Sequence, residues 1–345
     1  MEMIRRSQFA MLAVLLAGLH AAVIFAGFVA PYEAAAQNRD VPFAPPTRLH
    51  FVDPAGHFRL RPFVYSWKVS EKTFGKYQED RAQAYQVHFF VRGDRYRVAG
   101  VIASEIHLFG VDAPAHMFVL GTDAFGRDVF SRTLYGGQIS LLAGLLATSV
   151  TLTLGLLIGG LAGFYGGWVD DALMRVADLF LALPWLYLLF AVRAFLPLQM
   201  EPLQAFLVVV FVIGFVGWAR PARLIRGIFL TAKERNYVHA ARGFGAGDGY
   251  IVWRHILPAA SGVILTQAAL LLPQYVMAEI TLSFLGLGVG EPVPTWGNML
   301  NALLQMNILQ SYWWMIAPGL VTIPFFLGYQ VLGGMLGRHI ARAEQ

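Results

Sequence analysis

The chain has 345 residues, of which 57% are hydrophobic and 14% charged, with a mean hydropathy of +0.55. Soluble domains carry roughly a quarter charged residues, so this apolar surplus excludes an ordinary soluble enzyme and points to a membrane protein. The absence of cysteine excludes disulfides, cysteine-ligated zinc, iron–sulfur clusters and thiol catalysis, and the net charge of +5 matters less than where its charges sit.

A bilayer core takes about 20 apolar residues per helix. In chain order the candidate spans are 9–30, 139–165, 173–196, 203–219, 259–287 and 313–336, an expected total of six. Arg5 and Arg6 precede the first span, and Ala34, Ala35 and Ala36 mimic a signal-cleavage site. The 22 residues of that span exceed the roughly 7–15 of a signal core, so an uncleaved anchor over 1–30 is expected. His20, alone in this span, reads as packed or hydrogen-bonded rather than functional.

Residues 31–137 are too polar for lipid and too long for a plain connector. Pro42, Pro45, Pro46 and Pro54 make the start extended. Tyr85, Val87, Phe89 and Val91 alternate with more polar neighbours, Arg92-Gly93-Asp94-Arg95 reads as a turn, and Tyr96 and Val98 resume the alternation. A β-hairpin in a small, mainly β extracytoplasmic insert is expected, and a hairpin turn accounts for the Arg-Gly-Asp triplet without an adhesion role. Asp123, Arg127, Asp128 and Arg132 are spaced by four or five residues, which suits an interfacial helix with internal ion pairs ending the insert.

Residues 138–345 are expected to form a five-helix core. Gly155, Gly159, Gly160 and Gly163 put a small-residue face on the second span for close helix packing. In the third, Arg175, Asp178 and Arg193 lie near the ends, where long side chains snorkel. Asp170 and Asp171 sit beside Gly166 and Gly167 in what reads as a turn. Pro184, Pro273 and Pro324 are expected to kink the third, fifth and sixth spans. Glu279, four residues before Ser283, is a costly carboxylate at membrane depth. It is read as holding Ser283 or a neighbouring helix end, with contact to a substrate's amino terminus as the alternative, so both residues are candidates for a translocation pathway or its gating.

Between the fourth and fifth spans, the 220–258 loop carries Arg220, Arg223, Arg226, Lys233, Arg235, Arg242 and Arg254, whereas residues 288–312 hold no lysine or arginine. With Arg5, Arg6, Arg338 and Arg342 this places both termini and the loop in the cytoplasm. Within the loop Thr231 is the expected cap of a helix over 233–249 bearing Tyr237, Val238, Ala241 and Phe244 as an apolar stripe. Gly245 or Gly247 closes it, Asp248 caps a second short helix, and Pro258 helps end that one before the fifth span. Such a stripe with small Ala240 and Ala241 suits either a groove on another protein or the lipid headgroups.

Catalytic and cofactor chemistry is not legible. The phosphate-cradling Gly-x4-Gly-Lys-Ser/Thr pattern does not occur, there is no His-Glu-x-x-His, and the nine histidines are scattered singly. No catalytic, cofactor or metal residue, and no nucleic-acid partner, is expected.

Ala240-Ala241, then Gly245, then Leu257-Pro258 resembles the "EAA" loop of bacterial ABC importer permeases, with His239 in place of its glutamate and His255 where a hydrophobic residue is common. The 120–132 stretch, with Asp123, Gly126, Arg127, Asp128 and Arg132, runs on to Gly136 and Ser140 and is similar to the segment before the second span in the dipeptide/oligopeptide/nickel branch. Residues 278–289 and 294–299 match the same branch after its fifth span, so the resemblance covers about 120–340, and the longer 31–119 segment resembles long-loop C-type members. It implies an all-α polytopic bacterial inner-membrane subunit of six transmembrane helices that is not itself an enzyme, with ATP and Mg in partner subunits. It further implies a coupling helix on which Tyr237, Val238, Ala240, Ala241, Phe244, Gly245, Leu257 and Pro258 meet an ATPase. The implied partners are a second, homologous permease, two ATP-binding subunits, an extracytoplasmic binding protein and membrane lipid, with peptides or peptide-like molecules as cargo. The competing readings are a self-sufficient homo-oligomeric channel or secondary transporter, and a membrane-anchored interaction protein.

Overall fold

The structure, a computed structural model, describes residues 2–53, 56–70, 77–98, 101–195, 197 and 200–343. Pro54, Leu196 and the side chains of Arg5, Arg6, Arg193, Arg338 and Arg342 lie outside the described part. In chain order the elements are α1 (Glu2–Ile24), α2 (Ala26–Val29), β1 (His50–Val52), β2 (Phe58–Val69), β3 (Tyr77–Val98), β4 (Ile102–Val111), α3 (Val129–Tyr165), α4 (Gly167–Ala182), α5 (Trp185–Ala194), α6 (Pro202–Gly217), α7 (Ala219–Lys233), α8 (Asn236–Gly243) and α9 (Asp248–Ile251). A π-helical segment, Val252–Ile256, leads into α10 (Leu257–Phe284), followed by α11 (Trp296–Asn301), α12 (Met306–Ser311), the 3₁₀ turn Trp313–Ile316 and α13 (Ala317–Ala343).

This is a mostly helical polytopic membrane protein. Among the described residues, three helices are long and apolar enough to cross a bilayer: Val129–Tyr165, Asp248–Phe284 and Trp313–Met335. Two bent pairs, Gly167–Ala182 with Trp185–Ala191 and Pro202–Gly217 with Ala219–Lys233, pass the same test jointly, and Ala10–Ile24 is a shorter apolar helix. The third expected span is thus two helices bent by 90° at Pro184. Leu183 before it is extended (φ −87°, ψ 135°), as a residue preceding proline prefers. Pro273 and Pro324, by contrast, lie inside the single helices α10 and α13.

The chain forms two compact units. The helical unit comprises Met1–Phe9, Leu141–Thr281 and Phe325–Gln345. Here the glycine face of α3 meets α7 backbone to backbone. A Cβ on Gly159 would stand 2.3 Å from the Ala222 carbonyl oxygen, and one on Gly163 would stand 2.6 Å from that of Arg226. Glycine is required at both because a backbone neighbour cannot step aside. Asp170 lies in the first turn of α4, not in a loop turn, and Nε of Arg226 on α7 donates to it at 2.8 Å. Arg223 and Asp178 make a second pair between the same helices.

The mixed unit comprises Ala10–Ser140 and Leu282–Pro324. Its antiparallel sheet has the order β1-β2-β3-β4. Phe63, Val64 and Val87 are buried, and Val64 and Val87 form a core with Met117. The expected turn at Arg92–Arg95 is instead an irregularity inside β3, where the pairing with β4 shifts register between Arg92 and Tyr96. The hairpin closes beyond Val98, whose carbonyl accepts from Val101 N–H at 3.0 Å. A bulge needs the same small and polar residues as a turn, and Gly93 serves because a Cβ there would meet the His107 ring at 2.8 Å. The Arg-Gly-Asp triplet is therefore part of a paired strand.

Candidate functional surfaces

The loop after α7 is built on a small apolar core of its own. Ile225, Phe229 and Ala232 of α7 pack with Val238 of α8, Ile251 of α9, Ile256 and Ala260. Val238 is fully buried, so it anchors α8 and is absent from the exposed face to which its helical spacing assigned it. That face carries Tyr237, 46% exposed, Phe244, 94% exposed, and Ala240, with Ala241 half-buried beside them. Tyr250 and Trp253, which the sequence reading missed, extend the exposed aromatic surface.

The two short helices expected around a glycine bend are α8 and α9. Gly245, at φ +84°, closes α8: the N–H of Ala246 reaches the carbonyl of Ala241, and that of Gly245 the carbonyl of Arg242, each at 3.0 Å. This paired 6→1 and 5→2 closure is the Schellman arrangement. Gly247 has φ −73° and caps α9. Asp248 is the first residue of α9 rather than its cap, and lies 3.8 Å from Arg242. Thr231 is no cap either; it sits inside α7, where its hydroxyl donates to the carbonyl of Gly227 at 2.6 Å. Pro258 does not end a helix. The chain runs as helix from Asp248 to Phe284, with Leu257 half-buried and Pro258 exposed at the start of α10. Proline removes a donor and crowds the carbonyl four residues earlier, and the widened π turn just before it accommodates both.

The second surface lies in the mixed unit, and it corrects the expected interfacial helix. Asp123 to Asp128 form a tight loop, closed by a bridge between Thr122 and Asp128 and turning at Gly126, φ +71°. A Cβ on Gly126 would overlap the Asn38 carbonyl, and left-handed backbone disfavours a side chain there. Helix α3 starts only at Val129, with Asp128 Oδ2 accepting from Ser131 N–H at 2.8 Å as its N-cap, so the boundary expected at 137/138 falls inside one helix. The ion pairs are nevertheless real. Arg127 Nε donates to Asp123 at 2.7 Å, and Glu291 accepts from Arg127 at 2.6 Å and from Arg132 at 2.9 Å. Glu291 was not singled out from sequence. It is the lone acid in the 288–312 segment without basic residues, which was the available signal.

The 120–140 and 294–299 stretches meet in this unit. Trp296 is fully buried, its indole donates to the Thr133 carbonyl at 2.9 Å, and its backbone N–H donates to Ser140 Oγ at 3.2 Å. Thr295 and Asn298 cap α11 reciprocally. On α10, Glu279 and Ser283 are both buried.

Residues 155–342, more than half of the chain, match the family model described as "Binding-protein-dependent transport system inner membrane component". A putative peptide permease of Brucella suis is 36% identical over 234 residues, 67% of this chain and 76% of that protein. The dipeptide transport system permease DppC of Bacillus subtilis is 37% identical, covering 62% of this chain and 65% of that one. The oligopeptide permease OppC of the same organism is 34% identical, covering 67% and 73%. Among solved structures, an amino acid ABC transporter aligns with a TM-score of 0.41 at 15% identity, covering 62% of this chain and 92% of that one. The MetNI methionine ABC transporter in an inward-facing conformation aligns with a TM-score of 0.41 at 17% identity, covering 59% and 94%. The motifs of the loop, of 120–140 and of 278–299 thus lie in a chain that belongs to the family of inner-membrane permease components of binding-protein-dependent transport systems.

Proposed function

We propose that this chain is one half of the translocation pathway of an ATP-driven importer for peptides or peptide-like solutes, with six spans, both termini in the cytoplasm and the sheet outside. The relatives named for peptide transport support the cargo class. A second, homologous permease completes the pathway, two subunits binding ATP and Mg drive it, and an extracytoplasmic binding protein delivers cargo. Glu279 and Ser283 belong to that pathway or its gating.

One observation carries the coupling role. The exposed Tyr237, Ala240 and Phe244 face is clamped through buried Val238 to α7, and α9 continues as helix into α10. A packed helix moves as a unit, so a push on this face reaches the membrane helices. The test is affinity purification of the tagged chain from native membranes in mild detergent. Recovery of a second permease and ATP-binding subunits is the expected result; recovery of copies of this chain alone overturns the reading and favours a self-sufficient channel.

A further inference from the structure

Within the mixed unit, the segment bearing Asn38, Arg39 and Asp40 borders a cavity of about 590 Å³ whose wall includes Trp67 of β2, His116 and Phe118. Sites for small molecules typically enclose about 300–1,000 Å³. The wall narrows the class of occupant. Arg39 and Asp40 are exposed and carry opposite charges, yet neither side chain is in an ion pair with any described residue. His116 and Phe118 stack with centroids 5.9 Å apart and ring planes 8° from parallel, and Asn38 Nδ2 lies 3.5 Å from His116 Nδ1. Burial holds His116 below the usual histidine range, so at neutral pH this stack is an uncharged aromatic surface. The Trp67 indole N–H is buried without an acceptor, an unmet donor that a ligand oxygen satisfies once the ring turns toward the cavity.

We infer that this cavity binds a small zwitterion with an apolar side chain, a free amino acid or a short peptide with both termini free. The carboxylate lies on Arg39, the ammonium group on Asp40, and the apolar side chain on the His116–Phe118 stack. The inference adds to the transport reading without resting on it, since the site lies wholly in one unit of this chain.

The test is isothermal titration of the full-length chain, purified alone in detergent, with phenylalanine, with the dipeptide Ala-Phe, and with Ala-Phe blocked at both termini. Saturable binding of one of the two free probes is expected, and the tighter of them identifies the source. Blocking both termini, Arg39→Ala and Asp40→Asn should each weaken binding at least about tenfold, the loss of one charged contact. Both substitutions are at exposed positions, so an unchanged melting temperature checks the fold. Trp67→Phe keeps an aromatic ring, though a smaller one, removes the donor and should weaken binding less. Absence of binding by both free probes, equal binding of the blocked peptide, or binding unchanged in both charge variants overturns the inference. None of these outcomes bears on which subunits co-purify with the chain.

Discussion

The charges around the start of α3 act as a network. Arg132 is almost wholly buried, with Glu291 at 2.9 Å and Asp123 at 3.7 Å from its guanidinium. Such a group is tolerated inside a protein only when paired and hydrogen-bonded. Asp128 beside it is also buried, and burial pushes its carboxyl from 3.8 up to about 6 although hydrogen bonds from Ser131 pull the other way. Between those values the folded chain keeps a proton that the unfolded chain has released. The stabilisation is therefore complete below pH 3.8 and is lost as pH rises through about 6. Thermal melting at about pH 7.5 and about pH 5 should show the wild type gaining on Asp128→Asn as pH falls, by about 1.4 kcal/mol. Identical pH slopes for the two proteins would show that Asp128 does not titrate as its burial requires. Asparagine keeps an acceptor for the Ser131 N–H, so the comparison isolates the charge from the cap.

At the scale of elements, α8 divides its residues between holding and presenting. Val238→Ala removes buried methyl groups and should cost about 2 kcal/mol, seen as a lowered melting temperature. Phe244→Ala, at a position 94% exposed, should leave melting unchanged and weaken recovery of ATP-binding subunits. The reverse pattern would move the docking face elsewhere. Periodicity and glycine placement made the small helix, its Gly245 bend and the glycine face of α3 legible in the sequence, because each is a local property of backbone freedom or spacing. Which member of an apolar stripe turns inward was not legible: Val238 is covered by Ile225 and Phe229, residues nine or more positions away that no local pattern ties to it. The same reason explains Arg92–Arg95, where only the pairing partner on β4 distinguishes a bulge from a turn. Asp123 and Arg127 had helical spacing and were found paired, but by a loop that the left-handed Gly126 allows.

For the whole molecule, the division into two units sets what topology must satisfy, and a chain without cysteine offers a direct way to read it. Phe244→Cys and Leu60→Cys place single thiols at positions 94% and 90% exposed. With both termini inside and the chain produced without partner subunits, a membrane-impermeant maleimide should label the first only in inside-out vesicles and the second only in right-side-out ones. Labelling of both from one side would overturn the proposed orientation. The junction at Val252–Ile256 has a mechanical consequence as well. A π turn holds one surplus residue relative to the α-helix on either side. It resembles a screw with one spare thread: displacing the wide turn by a single position re-registers the residue it passes by roughly 100° about the helix axis and leaves the helix on either side in place. Val252 or Leu257, at its two edges, would then take a new azimuth while α9 and α10 themselves stayed still.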